Sequence, residues 1–175
     1  MTIICAMKTD DGVWIGSDSR LSCGPFKCPS PQQKWFKTDA GIWWGYNGHS
    51  RIVEIAKMSV AINAAENASD LCEAFRSEVK DDAWCTDGQD PGDPTNYGFN
   101  AIIVDHGNVY LMHGSGSLTN FGDEFVADGG GREYAYGAAY ALHGMDPETI
   151  MRVAIEAACR YDASCGGNIF VRKLP

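Results

Sequence analysis

Short strand patterns joined by tight-turn signals dominate the first part of the chain, and they restrict its fold class most strongly. Residues 2–9 and 12–18 are rich in β-branched and small apolar residues, and the turn signal Asp10-Asp11-Gly12 joins them. A second strand pair, at about 34–38 and 41–47, turns at residues 39–41. Strands joined in this way pair antiparallel, so the sequence predicts sheets built largely from neighbouring segments.

Helix and strand patterns then follow in blocks. Apolar spacing predicts a helix over about 52–65, and Ser69 is suited to cap a second one. The acidic, glycine- and proline-containing stretch 87–96 predicts an exposed loop. The remaining segments are strands at 99–104, 109–112 and 124–128, an alanine-rich helix ending at His143-Gly144, a helix capped by Asp146 with Pro147 in its first turn, and a strand at 168–172. This order predicts an α+β fold in which two sheets lie between helix layers.

Length, charge and cysteine content narrow the classes of protein further. A chain of 175 residues suits one domain, which we place at residues 1–175. The formal charge of −9 argues against nucleic-acid binding, and the absence of a long apolar run argues against a membrane span. Seven cysteines, an odd number without a Cys-x-x-Cys pair, and no recognisable secretory leader predict a reduced, cytoplasmic setting.

Thr2 offers the most specific chemistry in the sequence. If Met1 is removed, Thr2 carries both a hydroxyl group and a free α-amino group. A hydroxyl is a weak nucleophile until a base takes its proton, and an α-amine with a reference pKa of about 7.7 to 8.0 is a suitable base near neutrality. One residue could therefore supply both the nucleophile and the base for amide hydrolysis.

Three further residues follow Thr2 at informative spacings. Asp18 lies in Gly16-Ser17-Asp18-Ser19-Arg20, Lys34 precedes Trp35-Phe36, and Gly48 closes Gly45-Tyr46-Asn47-Gly48. With Thr2 as the first mature residue, this set resembles the β-type proteasome subunits and the bacterial HslV-type peptidases, which are threonine peptidases among the amino-terminal nucleophile hydrolases. The resemblance covers nearly the whole chain. It implies a four-layer αββα sandwich of two mostly antiparallel sheets between helix pairs.

The resemblance also implies a role for each residue. Thr2 would be the nucleophile, and Lys34 would provide a positive field that favours the alkoxide and the neutral amine. Asp18 would pair with Lys34, and the Gly48 N–H would bind the oxyanion. Asp162, in the segment 160–167, would support the terminal amine.

Two positions depart from the family pattern. Gly130 stands where the family has a serine that hydrogen-bonds the terminal amine, and Cys165 stands where it has a second hydroxyl residue, with Ser164 one position early. These departures leave open an inactive ring-forming subunit as an alternative to an active peptidase. A small-molecule amidase of the same superfamily is a further alternative. If the missing hydroxyl alone limits the site, Gly130→Ser should raise turnover.

The remaining expectations also come from the resemblance. It implies a homo-oligomer of stacked rings that degrades unfolded polypeptides and is commonly supplied by an ATP-dependent unfoldase. No cofactor is required, although a monovalent cation could bind the backbone carbonyls of Cys159, Asp162 and Cys165. The residues that would contact substrate are Leu21, Ser22, Tyr46 and Ser50.

Overall fold

The computed structural model describes residues 2–23, 26–27, 31–48, 50–79, 99–122 and 124–175. The predicted acidic loop at 87–96 lies outside these ranges. Within them, no helix has both the length and the apolar character needed to cross a lipid bilayer.

The described elements alternate between strand-rich and helix-rich blocks. In chain order they are β1 (Ile3–Thr9), β2 (Gly12–Ser17), β3 (Ser22–Cys23), β4 (Phe26–Lys27), β5 (Trp35–Lys37), β6 (Trp43–Gly48), α1 (Arg51–Met58), α2 (Val60–Asn63), α3 (Ala68–Val79), β7 (Phe99–Asp105), β8 (Asn108–Met112), β9 (Leu118–Asn120), β10 (Phe125–Gly129), α4 (Arg132–Ala141), α5 (Pro147–Tyr161) and β11 (Phe170–Lys173).

The first sheet contains both ends of the described chain. Its strand order is β10-β1-β2-β11, and every neighbouring pair is antiparallel. Helices α4 and α5 cover its outer face through an apolar cluster that includes Met151 and Ile155. Strand β1 is therefore central, with a partner strand on each side.

Strand β1 is apolar at successive positions because both of its faces are buried. Ile3 and Cys5 belong to the cluster beneath α4 and α5, whereas Ile4 and Ala6 belong to the cluster between the two sheets. Successive side chains of a strand point to opposite faces, so neither face of β1 can carry solvent-exposed residues here. This burial fixes Thr2 at the enclosed start of a central strand.

The second sheet has the order β5-β6-β7-β8-β9 and is also antiparallel. Helices α1, α2 and α3 pack on its outer face through a cluster that includes Trp44 and Phe75. The rings of these two residues meet edge to face with their centroids 5.1 Å apart. The two main sheets stack on each other through the cluster that contains Ile4, Ile15 and Ile102.

The predicted architecture of two sheets between helix layers is confirmed, and the boundary errors have local causes. The predicted helix at 52–65 is broken at Ser59, whose ψ of 121° is extended and whose hydroxyl accepts a hydrogen bond from Ile62 N at 3.1 Å. Asn67, not Ser69, caps α3, because its side chain accepts from Asp70 N at 2.9 Å.

The later elements follow the predictions closely. Asp146 caps α5 as predicted and accepts a hydrogen bond from Thr149 N at 3.0 Å. Strand β9 was not predicted, and the last strand begins at Phe170 instead of Asn168. A three-residue edge strand has too few alternating positions to produce a pattern.

Candidate functional site

Thr2 lies at the buried start of β1, with 3% of its surface exposed. Its carbonyl oxygen accepts a hydrogen bond from Gly130 N at 3.0 Å, and its hydroxyl donates to Asp18 Oδ1. Gly129 has a φ of 119°, and a β-carbon there would overlap the Thr2 carbonyl oxygen. Glycine at 129 is therefore required for the close approach of β10 to Thr2.

Asp18 directly follows β2 and is 1% exposed. Besides the Thr2 hydroxyl, its carboxylate accepts hydrogen bonds from Ile3 N at 3.2 Å and from Gly166 N at 2.9 Å. Burial raises the pKa of Asp18 above its ordinary value, although these donors and the charge of Lys34 act in the opposite direction. The carboxylate thus joins the start of β1 to the loop that follows α5.

Lys34 lies immediately before β5 and is 4% exposed. Its ammonium group donates to the Arg20 carbonyl oxygen at 2.7 Å and lies 5.9 Å from the centroid of the Tyr46 ring. Burial lowers the pKa of Lys34, whereas the negative charge of Asp18 raises it. The predicted partnership is therefore electrostatic: the hydrogen bond that orients Lys34 goes to the main chain at Arg20, and Asp18 bonds Thr2.

Gly48 ends β6 opposite Phe99 and has a φ of 137°. The preceding residue, Asn47, donates to Asp128 Oδ2 at 3.1 Å, and Asn100 donates to Asp128 Oδ1 at 3.3 Å. Asp128 is 3% exposed, so these amides satisfy a buried carboxylate and tie β6 to β10. These hydrogen bonds fix the end of β6, where Gly48, the predicted oxyanion-binding residue, lies.

Sequence reasoning did not single out Asp128. A signal was nevertheless present, because Asp128 interrupts an apolar strand segment, Phe125-Val126-Ala127, directly before three glycines. A carboxylate on a buried strand needs partners, and here they are the distant Asn47 and Asn100 together with Arg132, whose Nη1 lies 3.8 Å from Asp128 Oδ1.

Asp162 ends α5 and accepts hydrogen bonds from both the N–H of Ser164, at 2.8 Å, and the Ser164 hydroxyl. Partial burial acts to raise the pKa of Asp162, but the hydrogen bonds from Ser164 and Cys165 outweigh it and hold the pKa below its usual value. The Cys165 thiol is 1% exposed, and burial raises its pKa to about 12. It is therefore a neutral thiol near pH 7.

Gly130 lies against this same turn. A β-carbon built on Gly130 would overlap the Ser164 hydroxyl and would lie 3.1 Å from Asp162 Oδ1. The expectation that Gly130→Ser alone would raise turnover is therefore opposed by the packing, since the space is already occupied. The hydroxyl at Ser164, which the sequence pattern placed one position early, is the group that occupies it.

The predicted substrate-contacting residues have different environments. Tyr46 is 2% exposed, and burial raises its pKa to about 12, whereas Ser50 is exposed at the start of α1. Leu21 is partly buried and Ser22 begins β3. Their contact with substrate stays a prediction.

A cavity of about 480 Å³ reaches Asp18 and Lys34 from the edge of the sheets. Its walls include Gln32, Trp43 and Phe170. Asp18 and Lys34 thus line a cavity beside β5 and β11, although both side chains are almost fully buried.

Two of the three carbonyl oxygens of the predicted cation site, those of Asp162 and Cys165, accept hydrogen bonds within the protein. Cys165 O accepts from Arg20 Nη1 at 3.0 Å, and Asp162 O accepts from Cys165 N at 3.2 Å. A guanidinium group bound at Cys165 repels a second cation there, so these contacts do not favour the site. Among the described residues, no group of three or more His, Cys, Asp and Glu side chains is arranged to hold a metal ion.

We expect Asp18→Asn to lower the pKa of Lys34 further, because it removes the negative charge that raises this pKa against the effect of burial. NMR titration of the Lys34 side chain measures the change directly. Asp39→Asn, at an exposed position, is the control and should leave the Lys34 titration in place. A Lys34 pKa that stays the same or rises in Asp18→Asn would contradict the electrostatic partnership.

Comparison with known proteins finds similar structures but no matching sequence family or curated sequence. No family model matches the sequence, and no curated protein matches it. BPH of Thiobacillus denitrificans, also solved in complex with epoxomicin, superposes with a TM-score of 0.79 at 16% identity over 99% of this chain and 98% of that chain.

Two further structures are similar. Eukaryotic HslV from Trypanosoma brucei has a TM-score of 0.70 at 22% identity, with 97% of each chain covered. A Gly-1 mutant of Anbu from Hyphomicrobium sp. strain MC1 has a TM-score of 0.72 at 14% identity, with 99% of this chain and 81% of that chain covered. The chain therefore has the four-layer fold of the proteasome-type amino-terminal nucleophile hydrolases, as its resemblance to that family implied.

Proposed function

We propose that this protein is a threonine-type endopeptidase that uses Thr2 as its amino-terminal nucleophile after removal of Met1. The observation that carries the proposal is the enclosed contact between the Thr2 hydroxyl and the Asp18 carboxylate, with the Lys34 ammonium buried beside them. Burying a carboxylate and an ammonium costs free energy, and groups buried in this way cluster at functional sites.

The α-amine of Thr2 is the proposed base. Its ordinary pKa of about 7.7 to 8.0 suits proton transfer near neutrality, and the nearby positive charge of Lys34 favours the neutral form of the amine. Burial lowers the pKa of Lys34 and so acts against its positive charge, whereas the negative charge of Asp18 raises this pKa and supports the charged form. Lys34 is nevertheless engaged by the Arg20 carbonyl, so its proposed role is to provide positive charge.

The proposed reaction has two stages. The Thr2 oxygen attacks the peptide carbonyl carbon while the amine takes the hydroxyl proton, and the Gly48 N–H stabilises the oxyanion. The C–N bond then breaks as the amine returns the proton to the leaving nitrogen. A water molecule attacks the resulting ester, which releases the carboxylic acid and restores the Thr2 hydroxyl.

The assembly and substrate are proposed from the likeness to HslV and the other proteasome-type structures. We infer a cytoplasmic homo-oligomer of rings that cleaves unfolded polypeptides supplied by an ATP-dependent unfoldase. Four cysteines whose side chains are described, Cys5, Cys72, Cys159 and Cys165, are free thiols, which is consistent with a reducing compartment.

Intact mass spectrometry tests the proposal most directly. We expect the protein to lack Met1, and we expect a peptidyl β-lactone to add its full mass at Thr2, because ring opening transfers the acyl group to the hydroxyl without a leaving fragment. Prior incubation with epoxomicin, the ligand of the Thiobacillus complex, should reduce this labelling. Thr2→Ser should retain the label and Thr2→Ala should lose it.

The alternative functions give different results in the same assay. A ring subunit without activity would retain Met1 or would resist labelling at Thr2. A small-molecule amidase would label at Thr2 but would cleave no member of a peptide library. Labelling at a residue other than Thr2 would contradict the proposed mechanism.

A further inference from the structure

Gly130 and Ser164 compete for one space beside the amino-terminal end of β1. The Ser164 hydroxyl lies so close to a β-carbon built on residue 130 that the two atoms would overlap. Gly130 and Ser164 are both partly exposed, and the overlapping atom is the end of the Ser164 side chain, so a side chain at 130 requires the Ser164 hydroxyl to leave its present position.

Ser164 is held in this space by its own turn. Its N–H and its hydroxyl both donate to Asp162 Oδ1, and Asp162 N bonds back to Ala158 O at 2.9 Å at the end of α5. Cys165 N closes the turn on Asp162 O at 3.2 Å. The hydroxyl therefore has a fixed position relative to the helix.

The same turn meets Thr2 through two routes. Gly130, in contact with Ser164, donates its N–H to the Thr2 carbonyl oxygen at 3.0 Å. Gly166, two residues beyond Ser164, donates to the carboxylate oxygen of Asp18 at 2.9 Å, and the other oxygen of that carboxylate accepts the Thr2 hydroxyl. The turn is thus linked to both the main chain and the side chain of Thr2.

We propose that Ser164 is a positioning residue: its hydroxyl, held by Asp162, packs on Gly130 and so fixes the Gly130–Thr2 hydrogen bond that sets the position of the nucleophile. Glycine at 130 is the counterpart of this arrangement, because it leaves the space that Ser164 fills. The kinetic consequences rest on the proposed function, whereas the contact itself does not.

The proposal is tested by moving the serine hydroxyl from position 164 to position 130, which we call the hydroxyl-exchange variant. We expect Ser164→Ala to lower kcat about tenfold with KM within about twofold, because Ser164 acts on Thr2 and not on substrate. Gly130→Ser should lose at least as much activity and should lower Tm, since its side chain overlaps Ser164. The combined Gly130→Ser/Ser164→Ala variant returns one hydroxyl to the shared space and should recover to within about threefold of the unmodified protein.

Two controls distinguish the effect of the hydroxyl from that of packing and from the effect of removing any serine hydroxyl. Gly130→Ala/Ser164→Ala fills the space without a hydroxyl and should remain close to Ser164→Ala. Ser77→Ala, at an exposed position on α3, should leave kcat, KM and Tm unchanged. The positioning role is wrong if the two double variants have the same kcat. It is also wrong if the kcat of Gly130→Ser/Ser164→Ala does not exceed that of the less active single variant.

Amide hydrogen exchange gives a readout that does not depend on activity. The Gly130 N–H should exchange at least about fivefold faster in Ser164→Ala than in the unmodified protein, and the combined hydroxyl-exchange variant should restore its protection. Unchanged exchange at Gly130 overturns the proposal. If the unmodified protein shows no Thr2-dependent hydrolysis, the proposed function fails, and the exchange and Tm data alone decide the role of Ser164.

Discussion

Thr2→Ala is expected to abolish peptide cleavage, with kcat/KM falling on the order of a thousandfold or more, because the substitution removes the attacking oxygen itself. The fold should persist. Asp18 loses one of its hydrogen-bond donors but keeps Ile3 N and Gly166 N, and the apolar clusters on both faces of β1 are untouched.

A fluorogenic peptide assay on the processed protein measures this effect, with circular dichroism and size-exclusion chromatography as checks on folding and assembly. Thr2→Ser retains a hydroxyl and an α-amine, so it is the matched control and should keep measurable turnover. Full turnover by a correctly folded Thr2→Ala protein would show that the nucleophile lies elsewhere.

Lys34→Ala is expected to cause a loss of activity nearly as complete. The substitution removes the positive charge that favours the alkoxide form of Thr2, and it also removes the charge that keeps the α-amine neutral. Lys34→Met removes the charge but retains most of the side-chain volume, so it separates electrostatics from packing. Both variants should lose activity to a similar extent.

The two Lys34 variants, which should lose activity equally, should differ in thermal stability. Removal of Lys34 leaves the buried carboxylate of Asp18 without its opposite charge, so both variants should lower Tm, and Lys34→Met should lower it less than Lys34→Ala because it leaves a smaller cavity. Lys37→Ala, at the exposed end of β5, is the control and should leave activity unchanged. Substantial activity in Lys34→Met would refute the proposed role of the ammonium charge.

Local sequence signals were sufficient to predict the fold class and the main candidates for the site. Alternating apolar residues and tight-turn signals identified the strands, and the helix cap at Asp146 follows from residue type alone. Thr2 could be selected from its own chemistry, and Asp18 and Lys34 from spacings that resemble those of the proteasome-type family; the structure buries all three.

The partners of these residues could not be predicted in the same way. Asp18 bonds Thr2 and not Lys34, and Lys34 bonds a main-chain carbonyl that carries no mark in the sequence. Every residue type has a main-chain carbonyl oxygen, so composition and spacing do not show which carbonyl a side chain will bond.

The sequence by itself determined which segments form strands and helices, since periodic burial and turn chemistry are local properties of the chain. It also determined that position 130 has no side chain. Only the tertiary structure decided that Ser164 fills that space, and that Asn47 meets Asp128 across the two sheets. Such contacts depend on how the sheets and α5 pack together, and packing is the combined result of many distant residues that no single spacing records.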